Sequence, residues 1–134
     1  MNAYLAGRYS RRLELCGYAE DLQRAGHTVV SSWLDGHHES QDLVGTDDEK
    51  ATWAIADLLD LRKAHLLIAF TEDPRGIPTR GGRHVELGYA LALRDTCEYP
   101  SIAIVGPREN VFCCLPYVAQ FDTWADALKQ IEGL

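Results

Sequence analysis

The sequence predicts a single α/β domain: a doubly wound parallel sheet with helices on both faces. Three observations carry this reading. Short apolar runs alternate with longer stretches of helical period. Two of the runs, HLLIAF at His65–Phe70 and SIAIV at Ser101–Val105, are apolar almost throughout, as central strands covered on both faces are. The chain has 134 residues, one core's worth, and 46% of them are hydrophobic against 25% charged. It is long enough to bury about two-thirds of its unfolded surface without disulfides or metals.

The elements follow in order. Ala3–Ala6 reads as the first strand and Gly7 ends it. Ser10 is the expected N-cap of a helix with Leu13, Cys16, Gly17 and Leu22 at helical spacing, stopped by Gly26. His27–Ser31 reads as a second strand. Trp33–Thr46 is polar and rich in Gly, His and Asp, so it reads as a long loop of the kind that carries function. Asp47 or Asp48 is expected to cap a helix running to about Ala64, with Trp53, Ile55, Ala56, Leu58, Leu59 and Leu61 as its apolar residues. The strand at His65–Phe70 comes next. A second long loop, Thr71–Gly82, is dense in Pro and Gly, and a helix follows over Arg83–Arg94. Ser101–Val105 is a strand stopped by Gly106-Pro107, and Val118–Phe121 a short last strand. Asp122 or Thr123 is expected to cap a final amphipathic helix to about Ile131.

In such sheets crossovers are right-handed, and ligands bind beyond the carboxyl ends of the strands, where strand order reverses. That places Gly7–Arg12, Ser31–Thr46, Thr71–Arg83 and Gly106–Val111 at one edge.

Composition removes several function classes. Lys plus Arg is 13 and Asp plus Glu is 20, a net charge of −7, which repels a phosphate backbone and argues against a nucleic-acid polymer as partner. No apolar run approaches the roughly 20 residues of a membrane helix. Met1–Gly7 lacks the pattern of a secretory signal, so cytoplasmic location is the expectation. Cys16, Cys97, Cys113 and Cys114 show no CxxC spacing and read as reduced apolar residues. No metal or cofactor is expected. Zinc on Cys113, Cys114 and a distant His, or a metal on His37, His38, Glu39 and Asp42, lacks the ligand spacing such sites use. P-loop, GxGxxG, GxSxG and HExxH motifs are all absent.

Two carboxylates stand out. Glu86 precedes LGYALAL, seven residues without a charge, so it lies near the start of a helix expected to be buried, at the ligand edge. A poorly hydrated carboxylate there is what nucleophilic attack on a sugar requires. The commoner role of a Glu at such a position is to cap its helix or pair with Arg83, and the residues alone favour it. Asp57 lies inside a helix beside an apolar face, where Asp is a modest helix former. Its alternative is a solvated position or a pair with Arg62 or Lys63. Asp60 fits a solvated pair with Lys63 better. Arg8, Ser10, Arg11 and Arg12 cluster after the first strand, and Arg75, Arg80 and Arg83 lie on a second loop at the same edge. Converging on a helix N-terminus, they would make an anion site. Trp33 suits stacking on a base, though a Trp just after a strand more often packs at the sheet edge.

Three stretches resemble the nucleoside 2-deoxyribosyltransferase superfamily: AYLAG at Ala3–Gly7, ADLLDLRKAHLLIAF at Ala56–Phe70 and GGRHVELGYAL at Gly81–Leu91. With the order of elements, the likeness covers nearly the whole chain, read as one domain over residues 1–134. It implies a flavodoxin-like sheet of five parallel strands and a homodimer with composite active sites. It implies Glu86 as nucleophile, Asp57 as the residue assisting proton transfer to the leaving base, and Tyr4 as hydrogen-bonding the nucleophile. Classical transferases carry an Asp six residues before the nucleophile, on the sugar 5′-hydroxyl; here that position is Arg80. An acid-to-base change there favours a 5′-phosphate. The superfamily's 2′-deoxynucleoside 5′-monophosphate N-glycosidases also follow the first strand with a Ser/Arg-bearing phosphate loop, like Arg8–Arg12.

The implied substrate set is Gly7, Arg8, Ser10, Arg11, Trp33, Arg80, Gly82 and Asn110, the last in the region that completes a partner's site. The expected function is therefore an N-glycosidase cleaving the base–sugar bond of a nucleoside 5′-monophosphate, with a 2′-deoxynucleotide first in line. The alternatives are base exchange on free deoxynucleosides and a non-catalytic nucleotide-sensing module on the same fold.

Overall fold

The computed structural model describes residues 1–36, 45–76 and 81–132. Five strands, β1 (Asn2–Ala6), β2 (Thr28–Val29), β3 (Leu66–Phe70), β4 (Ser101–Val105) and β5 (Val118–Phe121), form one all-parallel sheet in the order β2-β1-β3-β4-β5. The helices are α1 (Arg12–Arg24), α2 (Asp47–Lys63), α3 (Gly82–Cys97) and α4 (Trp124–Glu132). Helix α1 packs with α4, and α2 with α3, which gives the doubly wound arrangement with helices on both faces. Strand order reverses between β1 and β3, the switch point where such sheets open a crevice.

The core is the sheet itself. Tyr4, Leu5 and Ala6 of β1 and Leu67, Ile68 and Phe70 of β3 are completely enclosed, and Ile104 of β4 joins them. Two glycines permit close approach at the ligand edge. A Cβ on Gly7 would meet Leu15 Cδ2 at 3.0 Å. Gly106, at φ 120°, would place one 2.6 Å from Thr71 Oγ1, so the turn after β4 has no room for a side chain.

Several local expectations need correction. Ser10 lies inside a 3-10 turn (Tyr9–Arg11), not at the cap of α1, whose N-cap is Arg11 with no side-chain capping bond to the helix. Leu13 is 77% exposed, and the face α1 buries is Leu15, Ala19 and Leu22. β2 shrinks to two residues, and the expected loop after it begins as a 3-10 turn at Ser32–Asp35. The α2 cap is Thr46, one residue early, in a capping box with Glu49. Helix α3 is not buried all round: Leu87 and Ala90 face the core while Val85 is 66% exposed. Ile55 and Leu59 of α2 are exposed as well.

Candidate active site

Tyr4, Asp57 and Glu86 come together from three elements. Tyr4 is the third residue of β1, and its alternating side chain points at the helix pair α2–α3. Asp57 lies in the second half of α2, and Glu86 in the first turns of α3, which approaches the same strand. Tyr4 is wholly enclosed, and Glu86 Oε2 is shut off from solvent.

Burial dominates the electrostatics. It raises the Glu86 carboxyl to about 8; the Tyr4 phenol, which favours the ionised form, opposes it, and the Asp57 charge adds to it. Burial, then the charge of Asp60, raises Asp57 to about 7. Burial and the two carboxylates also hold the Tyr4 phenol well above its ordinary value. Yet Tyr4 Oη and Glu86 Oε2 reach no well-formed hydrogen bond among the described residues. Enclosed polar atoms left this way cost about 1–3 kcal/mol each, a penalty associated with function rather than stability.

That penalty is measurable. A carboxyl raised on folding stabilises the native state below its unfolded ionisation and destabilises it increasingly as pH rises through the folded value. Glu86 therefore burdens the fold progressively from near pH 4.5 up to about 8. Glu86→Gln should raise thermal stability at pH 8 by at least roughly 1 kcal/mol, and the gain should vanish near pH 4.5. A calorimetric comparison at the two pH values checks both halves.

The arginines divide differently from expectation. Arg11 is committed to Glu14 (Nη2–Oε2 2.7 Å) and Glu72 (Nη1–Oε2 2.8 Å), so its guanidinium is already neutralised. Arg12 donates to the Leu34 carbonyl, and Arg75 pairs with Asp73. Arg83 pairs with Glu109, which removes both the proposed Arg83–Glu86 contact and Arg83 as a ready anion ligand. Arg8 is half-buried and makes no side-chain hydrogen bond or ion pair among the described residues. Arg80 lies outside the described residues, as do His37, His38, Glu39 and Asp42.

Trp33 is corrected from base platform to core residue. It is 5% exposed, and its indole Nε1 donates to the Leu5 carbonyl at 2.8 Å. Gly7 and Ser10 stay at the end of β1 and in the turn after it, and Gly82 opens α3. Asn110 Oδ1 accepts from Phe112 N at 3.0 Å, and its amide lies 3.5 Å from His84 Nδ1, beside the start of α3.

Two residues escaped the sequence reading. Asp60 faces Lys63 as expected (Oδ1–Nζ 4.0 Å), but it is buried rather than solvated and also accepts from Ser32 N at 3.0 Å and Ser32 Oγ at 2.5 Å, anchoring the turn that holds Trp33. Its three-residue spacing from Asp57 was the available signal. Glu109 lies in an exposed-looking loop sequence, PREN, and nothing in that pattern marks it. No group of three or more His, Cys, Asp or Glu among the described residues is arranged to hold a metal. No described helix is long and apolar enough to cross a membrane.

Neither a protein-family model nor a curated protein matches the sequence. Among solved structures, the chain is similar to the CMP N-glycosidase BcmB of Clostridium botulinum, with a TM-score of 0.60 at 15% identity over the whole of both chains. At that identity the likeness establishes the shared fold.

Proposed function

We propose that the protein is an N-glycosidase of the nucleoside 2-deoxyribosyltransferase superfamily, cleaving the base–sugar bond of a nucleoside 5′-monophosphate. The observation that carries this reading is the convergence of buried Tyr4 with the half-buried carboxyls of Asp57 and Glu86, both raised by burial, beside the switch point of the sheet. A sensor needs to bind its ligand; it has no use for a desolvated carboxylate pair that weakens the fold. The fold shared with a CMP N-glycosidase supports the same class of chemistry.

In the proposed reaction a Glu86 carboxylate oxygen attacks the anomeric carbon through an oxocarbenium-like transition state. The C–N bond breaks, its electron pair leaves with the base, and Asp57 delivers the proton the base needs. Tyr4 holds the Glu86 carboxylate in line. Water then attacks the anomeric carbon of the glycosyl-enzyme, Asp57 takes its proton, and Glu86 is released with free sugar 5-phosphate. No cofactor enters the balance.

The phosphate is assigned to the loop after β1, where Gly7 brings the backbone close, Ser10 is exposed, and α1 presents its N-terminus. Arg8 supplies the cation there, and Arg80, two residues before α3 in sequence, is assigned as a second on the sequence argument alone. Arg8→Ala should raise KM for a nucleoside 5′-monophosphate about 10–100-fold, the worth of a charge-assisted hydrogen bond, and leave KM for the matching nucleoside unchanged. Equal effects on both would remove the phosphate from Arg8. A second copy of the chain is part of the proposal: Ile55, Leu59 and Val85 leave the α2–α3 layer apolar and exposed, and Asn110 reaches the partner's site.

The test is chromatographic detection of free base from a panel of nucleotides and nucleosides, with and without an acceptor base. The panel spans 2′-deoxynucleotides, the expectation from the sequence, and ribonucleotides, because the structural neighbour is a CMP N-glycosidase. Base released from monophosphates without acceptor is the expected result. Turnover that requires acceptor and tolerates a free 5′-hydroxyl would replace hydrolysis with base exchange. Stabilisation by a ligand that is never consumed would replace it with sensing.

A further inference from the structure

Asp60 lies one helical turn beyond Asp57 on α2, its side chain 12% exposed. Its Oδ2 accepts twice from one residue, from Ser32 N at 3.0 Å and from Ser32 Oγ at 2.5 Å. The turn that supplies these donors is itself fastened to β1. Leu5 N donates to Ser31 Oγ at 3.0 Å, and Trp33 Nε1 donates to the Leu5 carbonyl at 2.8 Å. Asp60 is thus fixed between α2 and the strand that carries Tyr4. Lys63 Nζ stands 4.0 Å from the other oxygen, but its side chain is 65% exposed, so water screens much of its charge.

An asparagine would hold this turn as well. Its side-chain oxygen can accept from both Ser32 donors in nearly the same volume, and it brings no charge. A carboxylate is the costlier choice, because like charges three residues apart on a helix repel. That repulsion reaches the site: the Asp60 charge is one of the causes that raise Asp57, and it acts on Tyr4 as well. The causes at Glu86 are burial, Tyr4 and Asp57, without Asp60, so the bias is selective. Tyr4 of β1 and Glu86 of α3 face Asp57 from the elements packed against α2, while Arg62 of α2 donates to Tyr89 Oη at 2.6 Å.

We propose that Asp60 is a positioning residue for Asp57: fixed by Ser32, its negative charge keeps the proton of the carboxyl pair on Asp57, where the leaving base needs it, rather than on Glu86. The inference rests on the proposed reaction, in which Glu86 is ionised while Asp57 is protonated. Burial favours the protonated form of Glu86 as well. A single proton shared by the two carboxyls would then rest on the nucleophile, leaving neither nucleophile nor acid. A fixed charge one turn from Asp57 disfavours the Asp57 carboxylate and moves the proton the other way.

The experiment is a pH titration of side-chain carboxyl carbons in protein labelled with ¹³C-Asp, with the Asp57 resonance assigned by its loss in Asp57→Asn. In Asp60→Asn, which keeps an acceptor for Ser32, the Asp57 midpoint should fall by about one pH unit, as removal of a like charge one helical turn away does at an effective dielectric between ~20 and that of water. Asp60→Ser, also neutral, should give the same fall and serves if Asp60→Asn does not fold. Asp60→Asn/Lys63→Met should follow Asp60→Asn. Ser32→Ala, which loosens the turn and keeps the charge, should hold the wild-type midpoint. An unchanged midpoint in the neutral variants would overturn the proposal. So would a double variant that returns to the wild-type value, which gives the shift to an unmatched Lys63, or a Ser32→Ala midpoint that falls as far, which gives it to the loosened turn. With the substrate that the panel identifies, kcat of Asp60→Asn should fall about tenfold, the fold-change that one pH unit represents, with KM little changed. A lowered midpoint beside a wild-type kcat would overturn the use of the charge in catalysis. The titration needs no substrate, so a failure to find glycosidase activity would count against the proposed reaction and leave the effect of Asp60 on Asp57 standing.

Discussion

Glu86→Gln should lower kcat for base release by about four orders of magnitude, with KM changed little. The substitution removes the atom that forms the bond to the anomeric carbon and keeps side-chain volume and the fold. Gln is neutral, and the wild-type carboxyl is already pushed toward its neutral form by burial, so the surroundings need no adjustment. The loss therefore reports the transition state rather than substrate binding, and steady-state kinetics on the substrate that the panel identifies separates the two. Full activity in Glu86→Gln would end the mechanism.

Asp57→Asn should cost about 100–1,000-fold in kcat, within the range of a general acid, and the cost should depend on the leaving group. A base that leaves readily as an anion needs little protonation, so the deficit should shrink across a series of substrates with increasingly acidic bases. The pH profile gives a second readout. The working form carries one proton on the pair, with Glu86 ionised and Asp57 protonated. Below the first ionisation of the pair there is no nucleophile, and above the second there is no acid. Wild-type activity should therefore be bell-shaped, its limbs near the raised values of about 7 and about 8, which belong to the pair and not to one residue each. Asp57→Asn should lose the alkaline limb. The limb that remains should be the ionisation of Glu86 alone. An unaltered bell in Asp57→Asn would assign the proton to another group.

The sheet was legible because its central strands are apolar on nearly every residue, as strands of a sheet covered on both faces are; β3 and β4 fall, to within one residue, where His65–Phe70 and Ser101–Val105 place them. The edge was less legible. β2 is anchored by two pairs of residues, so its span depends on how Ser31 and Trp33 pack, which no period encodes. The meeting of Tyr4, Asp57 and Glu86 was reachable through the family likeness and not through spacing, since the three lie on separate elements. The arginines misled for a physical reason. Sequence shows a cluster of cations but not the carboxylates that fold against them, and Glu14, Glu72 and Glu109 take Arg11 and Arg83 out of play. Trp33 reversed for a similar reason: its one polar atom finds a strand carbonyl, so the ring stays inside.

The most direct test of a Glu86 nucleophile is the stereochemistry of the sugar product. The reaction is run with methanol competing against water, and the methyl pentoside 5-phosphate formed is analysed by NMR. Two displacements through Glu86 predict retention, the methyl β-glycoside. The α-glycoside, the product of a single displacement by solvent on the opposite face, would contradict the account.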